Sequence, residues 1–415
     1  MIDFSRERTR RRLAFAGLYL CEGAPIGFLW WALPTILRER GAPASEIGSL
    51  SAWLVLAWAF KFLWAPLIDL GRGHGLRAWI VGAQVVMAAA LLPLLWFDPA
   101  EGFGWIAVAL ALHALAAASQ DAAIDSLAIR TTPADERGGL NGWMQLGMLT
   151  GRSLFGGGAL LVRPWLGDTG LVLALSGGLL LSALFIGAHG RFLVAAEPVA
   201  QASPFGSSLI AALKRPSTLL AILFASISGA GFETVGLFAG PLLVDHGMQS
   251  SAVGWFFSLP AVAAMAVGAL IGGFACDRFG IRRVVFAAGL FMGACVLGLA
   301  ALARANAAPE ELLAALTAIY LGIGLFTAST YTLFMSLTDP ALGATQFSAY
   351  MGATNLCESW SAKAGGIMVE RRGYPDTFAF QGWVGIAALV LLFVLRPRAS
   401  AARTDGVSSS PRTSE

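Results

Sequence analysis

Runs of predominantly apolar residues recur along almost the whole chain, and they constrain its fold more than any other feature. An α-helix needs about 20 such residues to cross roughly 30 Å of bilayer hydrocarbon. Helices are the expected form, because open strands would leave backbone polar groups unpaired in lipid. Twelve runs are long enough, at residues 13–36, 47–70, 77–97, 104–130, 138–162, 170–193, 218–243, 251–276, 282–303, 310–336, 344–369 and 376–396. The sequence therefore predicts twelve transmembrane helices.

The scarcity of charged side chains supports the same conclusion. Charged residues make up 13% of the chain and hydrophobic residues 57%, whereas soluble domains are about 25% charged. Such a chain cannot solvate its own surface in water, which excludes a soluble enzyme and a disordered scaffold. The net charge of +3 is too small to imply a nucleic-acid partner. The lipid bilayer is the partner that this composition implies.

The sequence carries no motif for a cofactor or a metal ion. The four cysteines lie in or beside apolar runs, without the CxxC spacing of a zinc or redox site. The chain contains no GxxxxGK[ST] loop, whose backbone would cradle ATP phosphates. We therefore expect no cofactor and no metal, and an ion gradient as the energy source.

The distribution of Lys and Arg residues predicts the orientation of the chain. Of the 28 such residues, 19 fall in segments on the same side as the N-terminus, six in the opposite loops and three within spans. Cytoplasmic loops are the ones enriched in Lys and Arg. Both termini are therefore predicted to be cytoplasmic, in a multi-pass protein of the inner (plasma) membrane.

The two halves of the chain repeat each other. Pro34 near the end of the first run corresponds to Pro241 near the end of the seventh, and Asp69 corresponds to Asp277. Two six-span halves around a midplane cavity are typical of secondary transporters with parallel repeats. We predict an all-α integral membrane fold of twelve helices in two pseudo-symmetric six-helix bundles. The predicted parts are an N-terminal bundle at 1–195, a cytoplasmic linker at 196–217, a C-terminal bundle at 218–398 and a disordered tail at 399–415.

One loop between the eighth and ninth runs resembles a known family. Its sequence, GFACDRFGIRR from Gly273 to Arg283, resembles the signature loop of the major facilitator superfamily. The resemblance implies the major facilitator fold and a gating role, with the Asp capping a helix end and Arg residues pairing across the bundle. The copy in the first half, Asp69-Leu70-Gly71-Arg72, lacks the Arg expected directly after the Asp. The residues assigned to gating are Asp69, Arg72, Gly273, Asp277, Arg278, Gly280, Arg282 and Arg283.

Further sequence blocks narrow the resemblance to the AmpG-type muropeptide permeases. They are FKFLWAPLID at 60–69, ASQD at 118–121 with Asp125, ERG at 136–138 and ATQF at 344–347. The same blocks recur, with variation, in siderophore permeases of the RhtX/FptX type and in acetyl-coenzyme A transporters.

The resemblance implies a secondary active transporter rather than an enzyme. The implied activity is proton-coupled import of a moderately large polar solute, such as a muropeptide, by alternating access. Its partners would be a small-molecule substrate and protons, and it would act as a monomer. Siderophore uptake and export of drugs or metabolites stay open as alternatives. An integral-membrane enzyme is the alternative from another class, which the twofold repeat and the signature loop disfavour.

Several ionisable residues lie inside the predicted spans, where they are costly and by default mark a pathway, a partner or a proton relay. A rise of 1.5 Å per residue places Glu22, Lys61 and Asp121 about 13 Å from the cytoplasmic edge. The same rise places Arg152, Glu233 and Glu358 about 21 Å from it. Each tier mixes acid and base, which indicates pairing in an interior cavity. The candidate proton-coupling and cavity residues are Glu22, Lys61, Gln120, Asp121, Asp125, Arg152, Glu233 and Glu358.

Two alternatives remain open for these charges. One is that they are structural ion pairs that lock helices together, and the other is that they bind protons or substrate. A pair with Arg130 or Arg137 is an alternative to substrate contact for Asp125, because all three lie towards the cytoplasmic end. The tryptophans expected in the aromatic belt at the outer interface are Trp30, Trp31, Trp96 and Trp105. Those inside spans, which could pack or stack on a ligand, are Trp53, Trp58, Trp143, Trp255 and Trp360.

Overall fold

A computed structural model describes residues 4–64, 68, 75–96, 104–132, 136–189, 214–338 and 343–395. The gating residues Asp69 and Arg72, residues 196–213 of the predicted linker and the predicted tail at 399–415 lie outside the described residues. The α-helices are Phe4–Gly27, Leu33–Glu39, Ala44–Phe60, Gly75–Leu91, Gly104–Thr131, Arg137–Arg152, Gly158–His189, Pro216–Ser228, Ala230–Asp245, Ser250–Ser258, Pro260–Phe279, Ile281–Arg304, Pro309–Leu337, Gly343–Ala388 and Leu391–Val394.

The described helices form ten apolar stretches long enough to cross a membrane. Two of them, Gly142–Ala188 and Gln346–Val394, are 47 and 49 residues long, about twice what one crossing needs. Each is interrupted by a glycine with positive φ, Gly167 at 64° and Gly373 at 78°, a conformation that glycine adopts at little cost. Dividing both stretches there gives twelve spans, and the predicted all-α fold is confirmed. Numbered 1–12 in chain order, they are Glu7–Glu39, Ala44–Leu63, Gly75–Trp96, Gly104–Ala128, 142–167, 168–188, Pro216–Asp245, Ser250–Phe279, Ile281–Arg304, Pro309–Leu337, 346–373 and 374–394.

Spans 1–6 form the N bundle and spans 7–12 the C bundle. We call the end of the molecule that holds Phe4 the proximal end and the opposite end the distal end. Within the N bundle, spans 1 and 5 approach closely through glycines. A Cβ atom on Gly23 would lie 2.1 Å from the Met148 carbonyl oxygen, and one on Gly147 would lie 2.0 Å from that of Ala16. Small residues at such contacts let helix backbones meet, as is usual in membranes.

Glycines also set the contacts between the bundles. A Cβ atom on Gly48 of span 2 would lie 2.3 Å from the Ala362 carbonyl oxygen of span 11. A Cβ atom on Gly157 of span 5 would lie 2.4 Å from the Gly254 carbonyl oxygen of span 8. The twofold repeat relates these two contacts, because spans 2 and 5 correspond to spans 8 and 11. The bundles therefore meet through two equivalent interfaces in their distal halves.

The proximal halves of the bundles are packed differently on their two sides. Spans 2 and 11 remain in contact, since a Cβ atom on Gly352 would lie 2.8 Å from the Ala59 carbonyl oxygen. Spans 4 and 10 make no comparable contact through their described residues, and neither do the helices Arg137–Arg152 and Pro260–Phe279. The interface between the bundles is therefore less packed on this side of the proximal end.

Helix irregularities gather near the middle of this interface. Span 1 contains a π turn at Phe28–Ala32, and span 5 contains one at Ser153–Gly157. Span 8 is broken between Ser258 and Pro260, and the Ser153 hydroxyl donates a hydrogen bond to the Ser258 carbonyl. Single π turns inside α-helices are frequent at functional sites. Irregular backbone at membrane depth is tolerated where protein or a polar cavity covers it.

Candidate functional site

The first group of charged side chains lies within the N bundle. Lys61 Nζ donates a hydrogen bond to Asp121 Oδ2, and the Tyr19 hydroxyl donates one to Asp125 Oδ1. Glu22 interacts with the carboxyl group of Asp121 and electrostatically with Asp125 and Lys61. We call Tyr19, Glu22, Lys61, Asp121 and Asp125 the N-bundle cluster. It joins spans 1, 2 and 4.

Because much of this cluster is shielded from water, its acidic and basic groups have to compensate each other. Glu22 is 2% exposed and Asp121 is 7% exposed, so neither is solvated as a surface carboxylate would be. Three carboxyl groups face the single ammonium of Lys61, whose side chain keeps 27% of its surface accessible. One Glu22 carboxyl oxygen is buried without a hydrogen-bond partner. The cluster therefore holds more acid than its one base can neutralise.

Local sequence spacing explains how the cluster forms. Tyr19 and Glu22 are three residues apart and Asp121 and Asp125 are four apart, so each pair lies on one helix face. The helix Ala44–Phe60 ends directly before Lys61, and residues Lys61–Leu63 form a 3₁₀ turn. Tyr19 was missed by sequence reasoning, although its spacing from Glu22 signals its position.

Gln120 is fully buried but takes no part in the cluster's hydrogen bonds. Both polar atoms of its side-chain amide lack a hydrogen-bond partner. The neighbouring Ser119 hydroxyl instead accepts a hydrogen bond from Trp64 Nε1 at 3.0 Å, which ties span 4 to the end of span 2. The side chains of Arg130 and Arg137, the alternative partners considered for Asp125, lie outside the described residues.

The second group lies between the two bundles. Glu233 of span 7 interacts electrostatically with Glu358 of span 11 and with Arg152 of span 5. Trp30 Nε1 in span 1 donates a hydrogen bond to Glu358 Oε1. We call Trp30, Arg152, Glu233 and Glu358 the interface cluster. Its positive charge belongs to the N bundle and its negative charges belong to the C bundle.

The irregular turns position three members of the interface cluster. Arg152 is the last residue before the π turn of span 5, and Trp30 lies inside the π turn of span 1. Glu233 lies in the first turn of Ala230–Asp245, just after span 7 is broken at Gly229. A carboxylate is favourable there, because the N-terminus of a helix carries a partial positive charge.

The expected location of Trp30 and Trp31 in an outer aromatic belt is wrong. Trp31 is 7% exposed and stacks on Phe257 of the C bundle, with ring centroids 5.2 Å apart. Trp30 packs edge-on against Trp58 at 5.6 Å. Span 1 continues as helix to Glu39, which places Trp30 about 14 Å inside its distal end at 1.5 Å per residue. Both rings therefore lie within the protein.

The signature loop lies apart from both clusters, at the proximal end. Asp277, Arg278 and Arg283 are exposed, and the turn between spans 8 and 9 is made by Gly280 with φ of 88°. Arg282 Nη2 donates a hydrogen bond to the Phe393 carbonyl oxygen at 3.3 Å. This contact links the loop to the end of span 12. A Cβ atom on Gly273 would meet no atom within 4 Å, so that position is open.

An ion pair and a backbone hydrogen bond join the bundles at the distal end. Arg38 at the end of span 1 contacts Asp245 at the end of span 7, with Nη2 and Oδ2 2.7 Å apart. The Tyr374 hydroxyl of span 12 donates to the same carboxylate at 2.7 Å. The Ser45 backbone N–H donates to Glu370 Oε2 at 3.3 Å. Together with the glycine contacts, these bonds close the distal end.

Comparison with known proteins shows which transporters the chain resembles. Residues 221–413 match the Major Facilitator Superfamily. The structure of a D-xylose-proton symporter superposes with a TM-score of 0.73 at 13% identity, covering 93% of this chain and 97% of that one. An auto-inhibited POT family peptide transporter superposes with a TM-score of 0.71 at 14% identity, covering 93% and 96%. The chain therefore shares the fold of these transporters, and most of its C-terminal half matches the superfamily.

Relatives by sequence narrow the resemblance further. The anhydromuropeptide permease of Escherichia coli is 26% identical over 395 residues, which are 91% of this chain and 78% of that protein. The putative transporter AmpG 4 of Rickettsia conorii is 22% identical over 402 residues, 92% and 95% of the two chains. The predicted resemblance to AmpG-type permeases is confirmed.

Proposed function

We propose that the protein is a proton-coupled importer of a muropeptide-class solute across the inner membrane. The observation that carries this proposal is the division of the charges within the spans into one cluster inside the N bundle and one between the bundles. A coupled transporter needs an ion site and a substrate site that bias the same conformational equilibrium. The two clusters supply one candidate for each.

The N-bundle cluster is the candidate proton site. Its three carboxyl groups outnumber its one ammonium, so the charges cancel only when protons are bound. Uncompensated charge in the membrane interior is costly. The number of protons bound at the site therefore depends on how its charged groups are paired. Movement of span 2 relative to span 4 would change the Lys61–Asp121 contact and with it the number of bound protons.

The orientation is part of the proposal. Because Lys and Arg residues are concentrated on the side of the N-terminus, the proximal end is assigned to the cytoplasm. The closed distal end then faces outward, and the less packed side between spans 4 and 5 and spans 8 and 10 opens inward. Reporter fusions after Gly41, Asp245 and Pro309 are expected to report an outside location. Two cytoplasmic results among the three would contradict the orientation.

The substrate class rests on the relatives and on the chemistry of the interface cluster. The E. coli relative is named as an anhydromuropeptide permease, and a muropeptide offers carboxylates, amides and sugar hydroxyls. Arg152 and Glu358 supply charges, while Trp30 and Trp58 supply aromatic faces against which a sugar ring can pack. Siderophore uptake remains the second candidate, favoured by the blocks shared with that type of permease.

Reconstituted protein can test the function directly. Proteoliposomes with an acidic exterior would be given either a radiolabelled disaccharide muropeptide or a ferric siderophore. We expect the muropeptide to accumulate above its external concentration and a protonophore to abolish the accumulation. Accumulation of the siderophore alone would select the second candidate. Equilibration of the muropeptide without accumulation would contradict proton coupling.

A further inference from the structure

The charges of the interface cluster are close enough to interact but are not paired with one another. Within the described part of the chain, the side chains of Arg152 and Glu233 form neither a hydrogen bond nor a salt bridge. Arg152 Nε is buried and lacks a partner. Glu358 accepts one hydrogen bond, from the Trp30 indole. These groups differ from Lys61 and Asp121, which form a direct salt bridge.

Charges at membrane depth that are held near each other without pairing need another source of compensation. An unpaired ion inside a membrane protein is retained where it faces a polar cavity or a bound group. Arg152 offers a planar guanidinium, which matches the geometry of a carboxylate. Glu233 and Glu358 offer acceptors to a group that carries several N–H donors, as a primary ammonium does. The cluster thus presents complementary charges to a single solute.

We propose that the interface cluster binds the zwitterionic part of the substrate, with Arg152 holding a carboxylate and Glu233 and Glu358 holding a primary ammonium. The proposal rests on the transport function proposed above, and it defines the substrate as one with both groups within reach of each other. In a muropeptide, both groups belong to the stem peptide. The sugar part is then left to the aromatic pair Trp30 and Trp58, whose rings are 5.6 Å apart.

Because the charges lie on both bundles, such a ligand can shift the equilibrium between the conformations of the protein. Arg152 belongs to the N bundle, and the two glutamates belong to the C bundle. A solute with only one charged end could satisfy one bundle, whereas a zwitterion contacts both. Ligand binding shifts a conformational equilibrium only through differential affinity for the two states. A two-ended ligand supplies this difference, because the distance between the bundles changes during alternating access.

Chemical blocking of the ligand tests the assignment group by group. The probes are a disaccharide muropeptide with a free amine, its N-acetylated form and its form with all carboxylates amidated. Binding to purified protein in nanodiscs would be measured by calorimetry. Loss of one charge-assisted contact is expected to weaken binding by about tenfold or more. For the unaltered protein, we expect either block to produce a loss of this size.

Variants then assign each loss to its partner. In Arg152→Gln the loss caused by amidation should disappear while the loss caused by acetylation persists, and in Glu233→Gln or Glu358→Gln the reverse should hold. Arg152→Lys, which keeps the positive charge, should retain part of the amidation effect even if Arg152→Gln does not fold. Lys363→Gln removes an exposed charge of span 11 and serves as the matched control, with both losses intact.

The outcomes separate this proposal from the function on which it rests. Tight binding of the unblocked muropeptide with losses for both blocked forms supports the zwitterion site. Equal binding of all three forms overturns it and leaves the muropeptide importer standing. Absence of binding by the unblocked muropeptide overturns the substrate class itself. If amidation of the ligand weakened binding equally in Arg152→Gln and in the unaltered protein, the ligand carboxylate would bind elsewhere. That result would overturn the assignment of Arg152.

Discussion

At the scale of single residues, the contact between Lys61 and Asp121 has two interpretations with different consequences. A permanent ion pair would fix span 2 to span 4 and contribute to folding. A pair that separates during the transport cycle would expose Asp121 to protonation. The surplus of carboxyl groups around it, from Glu22 and Asp125, favours the second interpretation, because a purely structural pair needs no additional acids beside it.

The substitution Asp121→Asn distinguishes these interpretations. If Asp121 carries the transported proton, uphill uptake driven by a pH gradient should be lost. Counterflow of substrate should persist, because exchange requires no net proton movement. Both assays would use the same proteoliposomes. Glu310→Gln, which removes an exposed carboxylate at the distal end, is expected to leave both activities unchanged.

A structural role for Asp121 would give a different pattern. Removing one partner of such an ion pair destabilises a protein, because the other charge is left uncompensated. The amount of folded Asp121→Asn protein would then fall and both assays would weaken together. Combining it with Lys61→Met should restore them. Normal uphill uptake by Asp121→Asn alone would exclude Asp121 as the proton site.

At the scale of helices, the signature loop lies far from the charges that would bind protons and substrate. Asp277 and Arg278 are exposed at the proximal end of span 8, so they can affect the cycle without touching a ligand. We expect Asp277→Asn and Arg278→Ala to slow transport while equilibrium binding of the muropeptide stays within a few fold. Arg372→Ala, at an exposed distal position, is the control. Complete loss of binding in well-folded protein would contradict a gating role.

The contact between spans 2 and 11 can be opened by adding a side chain. A Cβ atom on Gly366 would lie 2.4 Å from the Ala44 carbonyl oxygen, so Gly366→Val cannot be accommodated unless the helices separate. Overpacking of this kind costs about 1–3 kcal/mol. If the distally closed state alone bears that cost, its population relative to the open state falls by about five- to 150-fold.

Cross-linking between the same two spans measures this shift. Cysteines introduced at Ser45 and Glu370, in a protein whose four native cysteines are replaced, should form a disulfide less readily when Gly366→Val is present. Gly298→Val is the matched control, because a Cβ atom there would meet no atom within 4 Å. Unchanged cross-linking in Gly366→Val would mean that the distal interface can absorb the added volume.

The helices themselves could be predicted from the sequence, because hydrophobic length and the cost of unpaired backbone in lipid leave few alternatives. The meeting of Lys61 and Asp121 could also be anticipated, since both lie at the same depth. The positions of Trp30 and Trp31 could not be anticipated. They depend on a π turn and on a helix that runs three residues beyond the predicted end at 36, and neither feature leaves a signal in hydropathy.

At the scale of the whole molecule, the two bundles are held together at the distal end by contacts of two kinds. The glycine contacts of spans 2, 5, 8 and 11 are apolar and close-packed. The pair of Arg38 and Asp245 is polar, with Arg38 Nε 2.9 Å from both carboxylate oxygens. Alternating access requires that both kinds break when the distal end opens. The ion pair is the contact whose strength can be changed without disturbing helix packing.

Weakening the ion pair of Arg38 and Asp245 is expected to favour opening of the distal end. Their side chains are 28% and 27% exposed, and partly exposed pairs contribute about 0–1 kcal/mol. Arg38→Gln should therefore favour the outward-open state by up to about fivefold. A larger competent fraction lowers the apparent Kd for external substrate in proportion. Equilibrium binding to right-side-out vesicles would detect this as tighter binding, and the double variant Arg38→Asp with Asp245→Arg should reverse it.

A second distal ion pair provides the control for this prediction. Arg304 and Asp376 also form a salt bridge, but both belong to the C bundle, so their contact is not broken when the bundles separate. Arg304→Gln removes the same charge from the same end of the molecule and should leave the apparent Kd unchanged. If Arg304→Gln tightened external binding as much as Arg38→Gln, the effect would come from the net charge of the distal surface. The Arg38–Asp245 pair would then have no specific part in closing the distal end.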